Sequence, residues 1–302
     1  MNRRDFIKKT SVMSSVLMTN ETFAKPNFSI PADFKLTMLA TNWGFQGSID
    51  DFAKKAKEEG YDGVELWLPD QQKDRDAMMN ALSKNGLKYG FLYGAGDKDF
   101  KQNFETFEKM LSIGLALKPM FFNSHSGKDF FAADQAKAFF DLTTKKSKET
   151  GIPIYHETHR GRLCFAAHIT RDFIKSNPNL RLTLDISHWC NVHESLLENQ
   201  PETVALALAH TDHIHARVGH PESPQVNDPR APEWKSALDM HLGWWDKVVE
   251  EKAKTTKQIT ILTEFGPVDY MPALPYTRQP VADQWGINVY MMKMLRERYK
   301  GK

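Results

Sequence analysis

The sequence predicts a single (β/α)8 barrel, and three observations lead there. After a distinct leader, short apolar runs of extended character alternate with amphipathic helical stretches. Eight such runs can be counted, and strands separated by helices imply a parallel sheet covered on both faces. No glycine-rich phosphate or dinucleotide loop follows the first run, which disfavours an open doubly wound sheet. A chain of 302 residues suits one large barrel or two ordinary domains. With no internal repeat, low-complexity tract or linker to divide it, one domain spanning residues 25–302 is the economical reading.

The strands read from the sequence are Lys35–Ala40, Gly63–Trp67, Lys88–Tyr93, Met120–Ser124, Ile154–Thr158, Arg181–Ile186, His213–Val218 and Ile259–Phe265. Helical patterns between them include Ser48–Glu59, Ala77–Asn85, Phe104–Leu117, Asp134–Thr150 and Trp244–Thr256. Ser48 with Asp51 three residues later approximates a capping box. Gly60 and Gly86 stand where a helix ends in a left-handed residue. Pro119, Pro178 and Pro201 mark other breaks. Residues 219–234 carry four prolines, which forbid regular helix and predict a long structured loop leaving the seventh strand.

The first 24 residues differ from the rest. Arg3-Arg4-Asp5-Phe6-Ile7-Lys8-Lys9, a short apolar stretch from Val12 to Met18, and Thr22-Phe23-Ala24 resemble a twin-arginine export signal with a cleavage site. The apolar stretch is too short to span a bilayer. The expectation is a periplasmic protein with no membrane contact once the signal is removed. The remaining chain carries 36 basic and 36 acidic residues, with no charge block of the kind a nucleic-acid surface needs. An apolar content of 41% and 26% charged residues place it among globular proteins. Export would permit a disulfide, but Cys164 and Cys190 alone do not define a framework, and a free pair is an equal alternative.

Four segments end an apolar run with a metal-binding residue: Glu157 in IYHETH, Asp185 in LTLDISH, His215 in HIHAR and Glu264 in ILTEFGP. Carboxylate oxygen and imidazole nitrogen together suit divalent ions. In a (β/α)8 barrel the strands' C-terminal ends converge on one face, so four ligands from four strands need no proximity in sequence. Each residue also has an ordinary reading. Glu157 could pair with Arg160 or Arg162, Asp185 could open a turn, and a lone His is more often a satisfied core residue. Strand alternation puts Tyr155, Glu157 and His159 on one face, and His213, His215 and Arg217 on another. Three polar residues facing one way from a buried strand are costly without partners. Glu65 and His125, also at strand ends, are candidate substrate contacts, while Trp43 and Trp67 could pack against the apolar faces of a small-molecule substrate. Tyr270, Tyr276 and Arg278, in the proline-punctuated stretch after Glu264, could form a wall or a homo-oligomer contact.

The HETH, LDISH, HIHAR and TEFGP segments and the strand order resemble the xylose-isomerase-like TIM-barrel superfamily over about residues 34–300. That superfamily includes sugar epimerases, inosose dehydratases and type IV apurinic endonucleases. In the epimerase branch the resemblance implies one divalent ion (Mn, Mg, Co, Fe or Zn) held by Glu157, Asp185, His215 and Glu264. The Asp-x-x-His spacing also matches, which implies that His188 touches substrate oxygens, and Glu157 and Glu264 are then the candidates for acid and base. The pattern departs in two places: Pro221 stands where the family has an arginine and Leu163 where it has a glutamate. Arg217 and Arg160 are the candidates to substitute, and His159, His188 and Arg217 are candidate substrate contacts that could assist a departing or attacking oxygen. The segment from His215 to Trp234 resembles an exported branch similar to hydratases or lyases of keto-sugars.

A metal in such a set can chelate adjacent carbonyl and hydroxyl oxygens of a sugar and stabilise the enediolate formed when the neighbouring C–H loses its proton. The expected partner is thus a small carbohydrate, and the expected chemistry isomerisation or epimerisation, with hydration or dehydration of a keto-sugar as the alternative. A non-catalytic sugar-binding barrel and an apurinic-type endonuclease are the rival classes.

Overall fold

The structure, a computed structural model, describes residues 26–301. The export signal expected at residues 1–24 lies outside them. Eight parallel strands close into a barrel in sequence order: β1 (Lys35–Ala40), β2 (Gly63–Trp67), β3 (Lys88–Tyr93), β4 (Phe122–Ser124), β5 (Ile154–Glu157), β6 (Leu182–Leu184), β7 (Thr211–Ala216) and β8 (Gln258–Thr263). β8 pairs with β1 over five residue pairs, Lys35 with Gln258 through Leu39 with Leu262, so the sheet has no free edge.

Helices cover the outside: α1 (Ile49–Glu59), α2 (Gln72–Asn85), α3 (Phe100–Ala116), α4 (Ala133–Thr150), α5 (Ala167–Ser176), α6 (Ile186–Val192), α7 (Pro201–Ala209), α8 (Lys235–Lys254) and α9 (Gln284–Arg298). Among the described residues none is long and apolar enough to cross a membrane. Ser48 and Asp51 form both halves of a capping box on α1, with Ser48 Oγ accepting from Asp51 N at 3.1 Å. Gly60 and Gly86 end α1 and α2 with φ of 96° and 59°. The long loop after β7 holds a 3-10 turn at Pro232–Trp234 and no longer helix. Cys164 and Cys190 are both free and buried.

The expected strands are matched closely, with differences at their ends. β6 stops at Leu184, because Asp185 accepts from Ser187 N and caps α6. β7 starts at Thr211, two residues earlier than expected, and ends at Ala216, so Arg217 lies just beyond it.

Alternation along each strand sorts the interior into two different media. Outward residues such as Val64, Leu66, Ile214 and Ile261 pack with the helices into the main hydrophobic core. Inside the barrel only a small apolar floor forms, of Leu39, Phe121 and Leu262, with Met120 and Tyr155 against it. Gly90 makes this floor possible, since a Cβ there would lie 2.5 Å from the Phe121 ring. Above the floor the inward residues are polar: Glu65, Asn123, Glu157, Asp185, His213, His215 and Glu264 are all buried. A cavity of about 910 Å³ opens at the other end, among the strands' N-terminal residues such as Lys35, Lys88 and Arg181.

Two outcomes test this packing. Gly90→Ala should destabilise the protein by about 1–3 kcal/mol through overpacking against Phe121, read from urea denaturation. His156 faces outward, with Ser126 Oγ at 2.5 Å from Nδ1 and Thr143 Oγ1 at 2.8 Å from Nε2. Burial pushes its pKa down to about 3. Between about pH 6.5 and 3 the unfolded chain therefore binds a proton that the folded one does not, and stability falls as pH falls. His156→Gln should make that fall shallower by up to about 1.4 kcal/mol per pH unit.

Candidate metal centre

Four inward side chains from the last four strands meet above the floor. Glu157 ends β5, Asp185 follows β6, His215 lies in β7 and Glu264 follows β8. One ligand atom from each lies within 4.8 Å of the others, and all four residues are buried. Four carboxylates, counting Glu65, thus share the barrel interior with one guanidinium, that of Arg217. Burying charge at this density is costly unless each group is paired or bound to a cation.

Hydrogen bonds pin one atom of two of these ligands and leave another bare. Glu157 Oε2 accepts from Asn123 Nδ2 at 2.7 Å and from His125 Nε2 at 2.8 Å. Its Oε1 is buried with no partner. His215 Nε2 donates to Glu65 at 3.2 Å, while Nδ1 has no partner. Glu264 Oε2 is the third bare atom. It lies 2.8 Å from His215 Nδ1 without hydrogen-bond geometry, and Glu157 Oε1 is 3.6 Å from the same nitrogen. Three buried donor atoms turned to one spot, with a carboxylate of Asp185 beside them, fit a divalent cation. Asp185 is engaged on both oxygens, by Ser187 on Oδ1 and by Arg217 on Oδ2.

Two other groups of metal-binding type occur among the described residues: Glu65 with His213 and His215, and His125 with Glu157 and His159. The first is satisfied by its own hydrogen bonds. His213 Nε2 donates to Glu65 Oε2 at 2.7 Å, Thr260 Oγ1 lies 2.7 Å from His213 Nδ1, and Asn123 Nδ2 donates to Glu65 Oε1 at 2.9 Å. Glu65, expected as a substrate contact, is therefore spent inside the barrel wall. Its two oxygens already hold three side chains, and it is 2% exposed.

The other expected contacts gather around the centre. Arg217 Nη2 donates to His188 Nε2 at 2.7 Å, leaving His188 Nδ1 buried without a partner. The rings of His125, His159 and His188 form a row, with centroids 4.4 and 3.9 Å apart. Trp67, half exposed, meets His125 edge-on at 5.3 Å. Trp43 lies against Tyr270 at 4.8 Å. Tyr270 also takes the guanidinium of Arg217 at 4.8 Å and that of Arg160 at 5.0 Å over its ring. Tyr270 is thus a wall of the site, whereas Tyr276 is fully exposed. Trp189 is core, buried with Nε1 donating to Cys164 O at 2.9 Å.

Three amides that sequence reading passed over hold the site in place. Asn123 bridges Glu65 and Glu157, and counting back two residues from His125 would have put it on the inner face. Gln225, in the proline-rich loop, donates to Gly266 O at 3.1 Å and accepts from Gly266 N at 2.7 Å. Asn288 in α9 makes the same reciprocal pair with Phe265, at 2.9 and 2.8 Å. The backbone just after Glu264 is therefore clamped from both sides. Nothing in the local sequence around Gln225 or Asn288 signals this, since their partners are 41 and 23 residues away.

The family described as Xylose isomerase-like TIM barrel matches residues 53–233. The chain belongs to that family. The matched stretch contains Glu157, Asp185 and His215, and Glu264 lies beyond it. Among solved structures, the probable 3-DHS dehydratase AsbF of Bacillus anthracis, involved in petrobactin synthesis, is similar at a TM-score of 0.55 and 15% identity, over 86% of this chain and 98% of its own. A family 2 AP endonuclease from Brucella melitensis is similar at a TM-score of 0.48 and 16% identity, over 77% of this chain and 93% of its own. No curated protein matches the sequence.

Charge in the centre is strongly coupled. Burial raises the Glu157 carboxyl, but His125 and His215 outweigh it and hold the group well below its usual range. Burial, opposed by Arg217 and aided by Glu264 and Glu157, pushes Asp185 up to about 7. Burial lowers His215, yet Glu264, Glu157 and Glu65 outweigh it and keep the imidazole protonated well above its ordinary value. Burial and neighbouring positive groups hold His159 and His188 neutral. Protons on Asp185 and His215 compete with a cation for the same atoms. Affinity for Mn²⁺ or Zn²⁺ should therefore fall as pH drops below about 7, with protons released on binding, as measured by calorimetry in buffers of different ionisation enthalpy.

Proposed function

We propose that this protein is a divalent-metal-dependent enzyme of the sugar isomerase or epimerase type, which removes a proton from the carbon next to a carbonyl. The observation that carries the reading is the meeting of Glu157, Asp185, His215 and Glu264 within 4.8 Å, with three of their donor atoms bare. These four would hold one ion, of Mn, Mg, Co, Fe or Zn. When bound, the ion supplies Lewis-acid polarisation of adjacent carbonyl and hydroxyl oxygens of the sugar.

The chain's own groups do the rest. Glu157 and Glu264 come from strands separated by two others, so their carboxylates approach from different directions and are the candidates to take and return the proton. Asn123 and His125 fix Glu157 through one oxygen, which keeps the other aimed into the site. His188 offers an unpartnered Nδ1–H to a substrate oxygen, and Arg217 adds positive charge beside it. Trp43, Trp67 and Tyr270 provide apolar faces for sugar C–H groups. Equal numbers of basic and acidic residues outside the leader support a small carbohydrate over nucleic acid, and the twin-arginine pattern supports a periplasmic setting.

A second reading is favoured by the row of His125, His159 and His188. The carboxyl that takes the proton from carbon can pass it to a departing hydroxyl held by an N–H of His159 or His188, which burial keeps neutral, and proton removal would then become dehydration of a keto-sugar. The similarity in fold to a probable dehydratase is compatible with it.

Glu157→Gln should lower turnover by about 10²–10⁴-fold, since general acid–base participation contributes on that order. The assay is a panel of keto-sugars in D₂O with one equivalent of Mn²⁺. Deuterium entering beside the carbonyl with an altered stereocentre supports epimerisation, and enone absorbance supports dehydration. Neither signal, or full turnover in Glu157→Gln, would overturn the assignment.

A further inference from the structure

We infer that Glu65 is a positioning residue for the metal centre: it fixes which nitrogen of His215 carries the proton, and so turns the Nδ1 lone pair toward the ion. The inference rests on the metal reading above and extends it one layer into the barrel.

A neutral imidazole has one N–H and one lone pair, and a carboxylate beside one nitrogen keeps the proton there. Both Glu65 oxygens lie 3.2 Å from His215 Nε2, and Asn123 Nδ2, 3.3 Å from the same nitrogen, spends its two hydrogens on shorter contacts to Glu157 Oε2 at 2.7 Å and Glu65 Oε1 at 2.9 Å. That nitrogen donates to a carboxylate that is not a ligand, whereas the carboxylates beside the bare Nδ1, Glu264 Oε2 at 2.8 Å and Glu157 Oε1 at 3.6 Å, are ligands that would turn to the ion together with it. A carboxylate in this place also makes the ligand nitrogen a better electron donor.

Glu65 is itself held rigidly. His213 Nε2 and Asn123 Nδ2 donate to its separate oxygens, and neither Glu65 nor His213 has an unpartnered side-chain atom. His213 is anchored in turn by Thr260 and stands over the Phe121 ring at 4.5 Å. Asn123 uses the same amide nitrogen on Glu65 and on Glu157, so the alignment of two ligands passes through one carboxylate. Three donors converge on Glu65, and only a group that accepts on both arms satisfies them. A glutamine of the same shape would turn an N–H toward at least one of those donors.

The test measures metal affinity rather than activity. Wild-type protein and Glu65→Gln are titrated with Zn²⁺ against a chromogenic chelator, far below their melting temperatures. The expected result is affinity about 10–100-fold weaker in the variant, while Glu65→Asp recovers part of the loss. A purely structural role would lower the melting temperature and leave affinity unchanged, and that outcome overturns the inference. Long-range ¹H–¹⁵N spectra of the Zn²⁺-loaded wild type give a second reading that does not require the variant to fold. A proton on His215 Nε2 supports the inference, and a proton on Nδ1 overturns it. Wild-type protein that binds no Zn²⁺ would remove the metal reading and this inference together. Tight binding unaffected by Glu65→Gln would remove this inference alone.

Discussion

Negative charge that cannot reach water organises the upper half of this barrel. Glu65, Glu157, Asp185 and Glu264 sit on neighbouring inward positions, each nearly or wholly removed from solvent. At an effective dielectric suited to protein interiors, like charges a few ångströms apart repel by several kcal/mol. The arrangement persists because three of the carboxylates are met by donors: Glu65 by two imidazoles and the Asn123 amide, Glu157 by the same amide and His125, and Asp185 by Arg217 and Ser187. Only Glu264 depends mainly on the shared centre, where His215 is its nearest positive neighbour.

The strand period of two makes this possible at little cost to stability. Hydrophobic packing is handed to the outward faces and the helices, so the inward faces are free to carry chemistry above a floor of three buried apolar residues. A sheet with a single core would have had to mix the two. Here the same eight strands insulate one from the other, and the polar stack is exposed only toward the ends of the strands where Trp67, His159 and Tyr270 stand.

Much of this was legible in the sequence because the relevant signals are short-range. The apolar runs gave β1, β2 and β3 to the residue, and the capping box and the two left-handed glycines marked α1 and α2. The ligand candidates were readable because each stands at or next to the end of an apolar run. What could not be read is pairing across the barrel. For Glu65 a strand reveals only face and depth, which suit a substrate contact or an ion pair alike, while its partners His213 and His215 lie 148 and 150 residues on. The ends of β6 and β7 shifted for a local reason: Asp185 prefers to cap α6, and the ladder partners of β7 begin before its histidines do.

The clamp that Gln225 places on Gly266 joins the proline-rich loop to the turn carrying Glu264. In many barrel enzymes the loops at this face are the parts that can be exchanged to suit new substrates. Here one of them is mechanically part of the acid's mounting, so lengthening or grafting it would move Glu264 as well. Anyone redesigning the protein for another substrate would do better to work on segments that bear no such tie, such as the exposed tips at Phe130 and Tyr276. The same reasoning says where natural variation can accumulate without dismantling the centre: at those tips, and not between Val218 and Val226.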